Sequence, residues 1–328
     1  MPFSFKTNRA RTTMERLKRA LADMWAAAQQ LDDRLPPAVR KRRWWLLLGV
    51  ASFIVIAAVV VTRLTSPAPQ QIAPDTRVFF INGAAHLTFS DAIGSVHIIP
   101  GSDGQVRIQE QRNGITDAIT MHYAQSGNTV SIKATIPTGL YQDTWVDFVV
   151  SVPEQVDLTT HVPTGTLTVN GLSGNIALSD TDGAIWASGL TGSITLETQS
   201  GSVNAEHVNG QLSVSTTNGT ITTSDTHLSG HCYMQAQSGT INFHGSLDHN
   251  GRFVFRNTNG AVGLTLPPSS AFSLDAHTQS GAINADFAGI TDTRSRGGTL
   301  AHGEVGASPR PQVMIETTSG SIDIIQGG

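Results

Sequence analysis

The chain has 328 residues, and only 14% of them are charged, against about 25% in an ordinary soluble protein. Thr, Ser, Asn and Gly take the place of the missing charges, which is typical of a β-rich protein with many turns. The single cysteine, Cys232, excludes an intramolecular disulfide, so a folded domain must be held by its core and its backbone hydrogen bonds.

Charge is divided unevenly along the chain. Residues 1–43 carry eleven Lys or Arg against four Asp or Glu, whereas residues 44–328 carry ten against twenty-one. No Lys or Arg occurs between Ala134 and Asn250. This gap argues against nucleic acid and acidic polysaccharide as partners, because proteins bind both through cationic contacts.

The first predicted element is a basic amphipathic, cytoplasmic helix within residues 1–43. Thr12 to Glu15 has the pattern of a capping box, and Pro36-Pro37 would end the helix. The pattern is compatible with a coiled coil over 13–35 that pairs two copies of the chain, and equally with a helix on anionic lipid. The apolar residues follow a heptad spacing, at Met14, Leu17, Leu21, Met24, Ala28, Leu31 and Leu35.

An apolar segment follows, and residues 44–64 are predicted to form a transmembrane helix. No charge occurs from Trp44 to Thr62, and about 20 apolar residues suffice to cross the hydrocarbon core. The basic residues 40–43 precede it, and the positive-inside rule places them in the cytoplasm. A cleaved signal peptide is the alternative, but no Ala-x-Ala site follows.

Residues 65–76 are proline-rich and predict a semi-extended linker. The remainder is therefore expected outside the membrane.

Residues 77–328 are predicted to form this extracytoplasmic β-repeat domain. Up to about residue 163, segments of alternating β-branched or aromatic residues predict irregular strands. A regular repeat then begins, in which the first four glycines lie 18 residues apart, with further glycines halfway between them. A fixed period of this size predicts a stacked repeat architecture. The eight glycines that are followed two residues later by an aliphatic residue are Gly165, Gly183, Gly201, Gly219, Gly239, Gly260, Gly281 and Gly320.

Each 18-residue unit predicts two unlike short strands that form one coil of a β-solenoid. Apolar residues alternate with polar ones after each glycine, and Gly and Asn tolerate the positive φ that a sharp corner needs. Antiparallel hairpins are the alternative, but equivalent residues recur at 18 rather than 9. The solenoid would place Ile185 on Val203 and Val203 on Ile221. Interruptions are predicted to bulge as loops near Asp225–Leu228 and Leu247–Asn250, and to form a loop excursion over 289–312.

The predicted fold class is therefore all-β, a β-solenoid preceded by irregular strands, with an N-terminal cytoplasmic helix and one transmembrane helix. The run from Val149 to Pro153, the repeated Thr-x-Ser/Asn-Gly-x-Ile units and the closing run from Thr317 to Ile324 resemble the bacterial “putative adhesin” β-strand-repeat domain. This resemblance covers about residues 80–328. It implies a bacterial envelope protein of a family without known function, and it implies no catalytic residue.

Carboxylates in the repeat raise the question of catalysis. Asp180 and Asp182, with Glu197 one coil on, could supply the paired carboxylates of a glycosidase. Asp182 precedes Gly183, however, and an aspartate in a turn explains it more simply.

Five metal-ligating residues also cluster in sequence, and Cys and His are zinc ligands. Their spacing matches no compact zinc motif, and Cys232 falls at an inward position, where a free Cys packs as a small hydrophobe. No catalytic, cofactor-binding or metal-binding residue is therefore assigned. The five residues are His227, His231, Cys232, His244 and His249.

These patterns predict a non-enzymatic, membrane-anchored cell-surface protein that displays a β-solenoid for adhesion or envelope interaction, without a cofactor. One alternative is an envelope-stress sensor or scaffold that couples the outer domain to the cytoplasmic helix. Another is a polysaccharide-acting enzyme, which requires Asp180, Asp182 and Glu197 to converge on one cleft.

Overall fold

The computed structural model describes residues 75–90, 93–140, 144–295 and 297–327, and these residues form an all-β domain. They contain 23 strands and two short 3₁₀ turns, at Thr116–Ala118 and Thr138–Leu140. Among these residues, no helix has the length and apolar character needed to span a membrane.

The helical part of the predicted fold class is therefore wrong for the domain that the structure shows. The predicted cytoplasmic helix over 1–43, its pairing segment 13–35 and the transmembrane helix over 44–64 lie outside the described residues, as does nearly all of the linker. The single-pass placement with a cytoplasmic N-terminus rested on those helices and is withdrawn. A heptad pattern and an apolar run show which structure a segment is compatible with, not which one it adopts.

The strands fall into three groups along the chain. The N-terminal group is β1 (Asp75–Phe80), β2 (Ala85–Ser90), β3 (Ile93–Pro100), β4 (Gln105–Asn113), β5 (Thr120–Ser126), β6 (Thr129–Thr135) and β7 (Trp145–Val152). The middle group is β8 (Val156–Asn170), β9 (Ser173–Ser188), β10 (Thr191–Ser200), β11 (Val203–Glu206), β12 (Asn209–Asn218), β13 (Ile221–Leu228), β14 (His231–Ser238), β15 (Ile241–Leu247), β16 (Arg252–Asn259) and β17 (Val262–Leu266). The C-terminal group is β18 (Phe272–Ser280), β19 (Ile283–Ala285), β20 (Ile290–Ser295), β21 (Gly298–Val305), β22 (Gln312–Ser319) and β23 (Ile322–Gln326).

Each coil contributes one segment to each of two parallel sheets, and the coils stack in register. Strands β8 and β9 run unbroken through a corner, so each belongs to both sheets. The first sheet contains, in spatial order, β6, β2, the first halves of β8 and β9, then β10, β12, β14, β16, β22 and β18. The second sheet contains β7, β3, the second halves of β8 and β9, then β11, β13, β15, β17, β23 and β19.

The predicted aliphatic ladder inside the stack is confirmed. Val203 pairs with Ile185 on one side and with Ile221 on the other, and all three side chains are fully buried. Burying an aliphatic side chain of this size contributes about 1.5–3 kcal/mol, so repeated ladders can offset the entropy of the ordered chain.

The first corner of each coil, between the first and the second sheet, is built on a column of glycines. A Cβ placed on Gly201 would overlap the carbonyl oxygen of Gly183, and a Cβ on Gly183 would overlap that of Gly165. Neither Gly183 nor Gly201 is among the glycines with left-handed φ. Close approach of neighbouring coils is therefore the reason for glycine that all nine members share, while the positive φ expected from sequence occurs at five of them. In spatial order the column contains Gly94, Gly165, Gly183, Gly201, Gly219, Gly239, Gly260, Gly320 and Gly281.

The strands predicted before residue 163 are present, and β1, β4 and β5 pair antiparallel outside the regular stack, but the stack itself begins earlier than predicted. Strands β2 and β3 together form a coil that pairs in parallel with β8, with Leu87 opposite Leu158 and Val96 opposite Leu167. Strands β6 and β7 form a further coil on the outer side of β2 and β3. Gly94, two residues before Val96, repeats the pattern of the other first-corner glycines and is the signal for this coil.

The C-terminal end is arranged in the same way. The last coil in sequence, β22 and β23, lies between the coil of β16 and β17 and that of β18 and β19. Residues 289–312, predicted as a loop excursion, instead contain the hairpin of β20 and β21, and β21 pairs antiparallel with β18. This hairpin covers a sheet edge that would otherwise present unpaired backbone groups.

The two smaller interruptions of the repeat are confirmed. The register between β13 and β15 shifts between Thr223 and Thr226, and residues 248–250 form a turn after β15.

Candidate functional site: a trough on the second sheet

The outer face of the second sheet carries a straight row of side chains from successive coils. Alternate residues of a strand point to opposite faces, so in-register residues of neighbouring strands lie side by side on the same face. The row that runs through the middle of this face contains Thr168, Trp186, Asn204, Thr222, Asn242, Gly263 and Asp323.

Trp186 is the exception in this row of short side chains. Its side chain is 51% exposed, and its direct neighbours in the row are Thr168 and Asn204. A single exposed apolar residue is common on protein surfaces and needs no function. Trp186, however, stands in a groove of about 480 Å³, whose polar lining is Thr166, Thr168, Asn170, Ser188, Asn204, Glu206, Thr222 and Ser224.

A second groove continues the first along the stack. It also encloses about 480 Å³, shares Thr222 and Ser224 with the first, and extends to Asp323 and Ile325. We call the two grooves together the trough. It crosses from β8 to β23 in six strand-to-strand steps, which corresponds to about 29 Å at the usual strand spacing.

The trough contains few charged groups. Its lining contains two carboxylates, Glu206 and Asp323, and one imidazole, His244, but no Lys or Arg. Asp323 accepts hydrogen bonds from Asn284 at 2.7 Å and from Ser321 at 2.9 Å, so it is already partnered at the far end. His244 lies 4.0 Å from Asp225 at the rim.

Polar groups near Trp186 are available to a ligand. Within the described residues, the side chains of Trp186, Asn204 and Glu206 make no hydrogen bond to the rest of the protein. An exposed aromatic ring, an amide and a carboxylate on a rigid sheet form a small set of oriented contacts, which is the usual make-up of a recognition site.

The carboxylates considered for glycosidase chemistry do not converge. Asp180 is buried inside the first sheet, whereas Asp182 is exposed at the first corner and Glu197 is exposed on the outer face of β10. Thr198, not Glu197, lies in register with Asp180. The enzyme alternative required a common cleft for these three groups, and the structure places them on different surfaces.

Asp180 belongs to a buried polar ladder beside the first-corner glycines. Burial, and secondarily the charge of Asp182, raises the pKa of Asp180 from 3.8 to about 7. Both of its carboxyl oxygens are buried without a hydrogen bond within the described residues. In spatial order its polar members are Asp180, Thr198, Thr216, Asn257, Thr317 and Thr278, with Ala236 interrupting them between Thr216 and Asn257.

Other members of the ladder donate to a glycine carbonyl of the neighbouring coil. Asn257 donates to Gly239 at 2.8 Å, and Thr278 donates to Gly320 at 2.9 Å. The equivalent acceptor for Asp180 is the carbonyl oxygen of Gly165. Only the protonated carboxyl can donate to it, which agrees with the raised pKa.

The five residues considered as zinc ligands are dispersed. Cys232 is buried on β14, accepts a hydrogen bond from the Leu212 N–H and donates to the Ser229 carbonyl, both at 3.3 Å. Burial raises the pKa of its thiol. The histidines are exposed: His231 on the first sheet, His244 on the second, His227 at the end of β13 and His249 in the turn after β15. Among the described residues, no group of three or more His, Cys, Asp or Glu is placed to hold a metal ion.

The sequence analysis missed Trp186 and the trough. An aromatic residue at an outward position, where neighbouring coils carry Thr or Asn, is the signal that could have identified Trp186. The trough itself depends on the register of seven coils, and no single repeat contains that information.

Several solved structures are similar to the chain. A putative cell adhesion protein from Clostridium sporogenes shares 13% identity, with 77% of this chain and 100% of that one covered, at a TM-score of 0.25. A putative adhesin from Bacteroides fragilis shares 12%, with 77% and 97% covered and a TM-score of 0.31. A putative lipid binding protein from Parabacteroides distasonis shares 14%, with 77% and 97% covered and a TM-score of 0.24. Similarity at this level does not show what this chain binds.

A search of curated protein sequences finds no match to the chain. The resemblance to the adhesin-type repeat domain is confirmed by a family model that matches residues 85–325, from the start of β2 into β23. With a match over most of its length, the chain belongs to the Toastrack DUF4097 family.

Proposed function

We propose that the chain is a non-enzymatic surface or adhesion protein that binds its partner in the trough. The observation that carries this proposal is the exposed Trp186 ring beside Asn204 and Glu206, whose side chains make no hydrogen bond within the described residues. Tryptophan is enriched among the few residues that supply most of the energy of a binding interface.

The separation of its acidic groups argues against catalysis in the trough. Its carboxylates, Glu206 and Asp323, are four strand-to-strand steps apart, or about 19 Å at the usual spacing. The two carboxyl groups of a glycosidase lie about 5–10 Å apart, so this pair is too widely separated. The sensor alternative depended on the cytoplasmic helix and is not retained.

Retention on insoluble bacterial envelope material tests the proposal. The full chain should co-sediment with this material, and Trp186→Ala should reduce the retained fraction several-fold. Trp145→Ala is the matched control, because Trp145 is a 40% exposed tryptophan that does not line the trough.

Equal retention of the wild type and Trp186→Ala would overturn the role of the trough. Release of reducing sugars from the envelope material by the purified chain would overturn the non-enzymatic assignment.

A further inference from the structure

We infer that the ligand of the trough is an uncharged polysaccharide, which lies along the stack axis with one sugar ring against the indole of Trp186. This inference rests on the proposed function, namely that the trough binds a partner, and it names the chemical class of that partner.

The charges of the trough exclude other polymers. A polyanion such as nucleic acid or an acidic glycan needs several Lys or Arg contacts, and the lining contains none. A polycation needs a row of carboxylates, but the trough contains two, Glu206 and Asp323, which lie about 19 Å apart at the usual strand spacing. The balance of charge fits a neutral ligand.

The apolar content of the trough excludes a lipid or a large protein partner. Its large exposed apolar side chains are Trp186 near one end and Ile325 near the other. A protein interface has a contiguous core of aromatic and aliphatic groups, and a lipid site needs continuous apolar surface. One isolated ring and one isolated aliphatic side chain among hydroxyl and amide groups provide neither.

The same arrangement suits a sugar chain. One face of a pyranose ring presents C–H groups, which pack on the flat face of an indole, while its hydroxyls project sideways as donors and acceptors. Asn204 and Glu206 on β11, and Thr222 and Ser224 on β13, supply complementary polar groups beside the ring. Successive coils repeat this surface every ~4.8 Å, so a polymer of similar units can make similar contacts along the trough.

The trough is also pre-organised. Its side chains stand on strands that are hydrogen-bonded to neighbours on both sides, from β9 through β23. Binding a ligand therefore orders little of the protein, which lowers the entropic cost of association.

Titration of the full chain with defined hexasaccharides tests the inference. The neutral probes are maltohexaose, cellohexaose, mannohexaose and chitohexaose, and the charged probes are polygalacturonate and polylysine. Binding is measured by calorimetry and by tryptophan fluorescence in wild type, Trp186→Ala, Asn204→Ala and Trp145→Ala. At least one neutral probe should bind the wild type. Trp186→Ala should weaken it about 10-fold, as expected for a lost stacked ring, and Trp145→Ala should leave it unchanged.

The outcomes separate this inference from the proposed function. Two outcomes would show that the ligand class is wrong while the trough remains a binding site. In the first, only polygalacturonate or polylysine binds in a Trp186-dependent manner. In the second, no neutral probe binds, but envelope retention still depends on Trp186. If envelope retention does not depend on Trp186, the proposed function itself fails. Unchanged far-ultraviolet circular dichroism shows that each variant is folded.

Discussion

The two corners of each coil follow different structural rules. At the first corner, neighbouring coils approach so closely that a Cβ on Gly183, Gly201 or Gly219 would overlap the backbone of the adjacent coil. At the second corner, where the chain returns to the first sheet, Gly174, Gly192 and Gly210 near the start of the first-sheet strands approach the adjacent coil just as closely. The residue that directly follows each second-sheet segment is less crowded and adopts left-handed φ. This residue is Gly171, Gly189, His207 and Asp225 in successive coils, with φ between 50° and 65°.

Packing against the adjacent coil determines the first-corner glycine, whereas backbone conformation determines the left-handed residue of the second corner. The left-handed residues of the second corner make the same backbone contact in each coil: the N–H donates to the next coil, from Gly189 to Glu206 and from His207 to Ser224. A side chain is tolerated there, because the cost is only that of an unfavourable φ. The first corner tolerates no side chain where it packs on a further coil, which is why glycine recurs in the nine members of the column, whereas the outermost coil carries Val146 there.

The largest effect is expected from adding one methyl group at the first corner. Gly201→Ala should destabilise the domain by about 4 kcal/mol or more, because the Cβ meets backbone that cannot move without separating two coils. Gly189→Ala at the second corner should cost only about 1–2 kcal/mol, the cost of left-handed φ, since the nearest atoms would be 3.6 Å away. Urea denaturation measures both.

Gly139→Ala is the control for these two variants. A Cβ there meets nothing within 4 Å, so the change should lie within about 0.5 kcal/mol. Equal losses for Gly201→Ala and Gly189→Ala would contradict the distinction between the corners.

A pH-dependent effect is expected beside the first corner. The folded pKa of Asp180, about 7, lies above its ordinary value of 3.8. Below about pH 4 the carboxyl is neutral in both the folded and the unfolded state. As the pH rises toward and through 7, the folded state binds the extra proton, so the free energy of unfolding falls. Asp180→Thr restores the ladder residue of the next coil. This variant should raise the free energy of unfolding at pH 8 by an amount on the order of 2–4 kcal/mol, and it should change that free energy little at pH 4.

Thermal or urea unfolding of the wild type and Asp180→Thr at several pH values between 4 and 8 checks this prediction. A gain for Asp180→Thr that does not change with pH would show that packing, rather than ionisation, limits stability at this position.

The strictness of the first corner also explains what could be predicted from sequence. A glycine that every coil needs produces an 18-residue signal, and from it the coil, the ladder of Ile185, Val203 and Ile221 and the buried side of each strand could be predicted. The tolerant second corner leaves a weaker signal, because His207 and Asp225 replace glycine there.

The ends of the stack could not be predicted in this way. Leu87 pairs with Leu158, 71 residues further along, and Phe253 pairs with Val313, 60 residues further along. Such pairings leave no local period, so the two coils that lie out of chain order, and the β20–β21 hairpin, were not expected. The trough was missed for a related reason, since it is formed by side chains of seven coils.

The smallest effect is expected at the left-handed position of the second corner, where backbone conformation is the main cost. His207→Gly should raise stability by about 0.5 kcal/mol, because glycine removes the 1–2 kcal/mol cost of left-handed φ but adds entropy to the unfolded chain. The exposed pair of His207 with Asp225, at 3.8 Å, contributes little that would be lost. His207→Ala keeps the Cβ and should bring no gain, so it serves as the control. If His207→Gly instead lowers the urea midpoint, the His207 side chain stabilises this corner, and the second corner depends on contacts as the first one does.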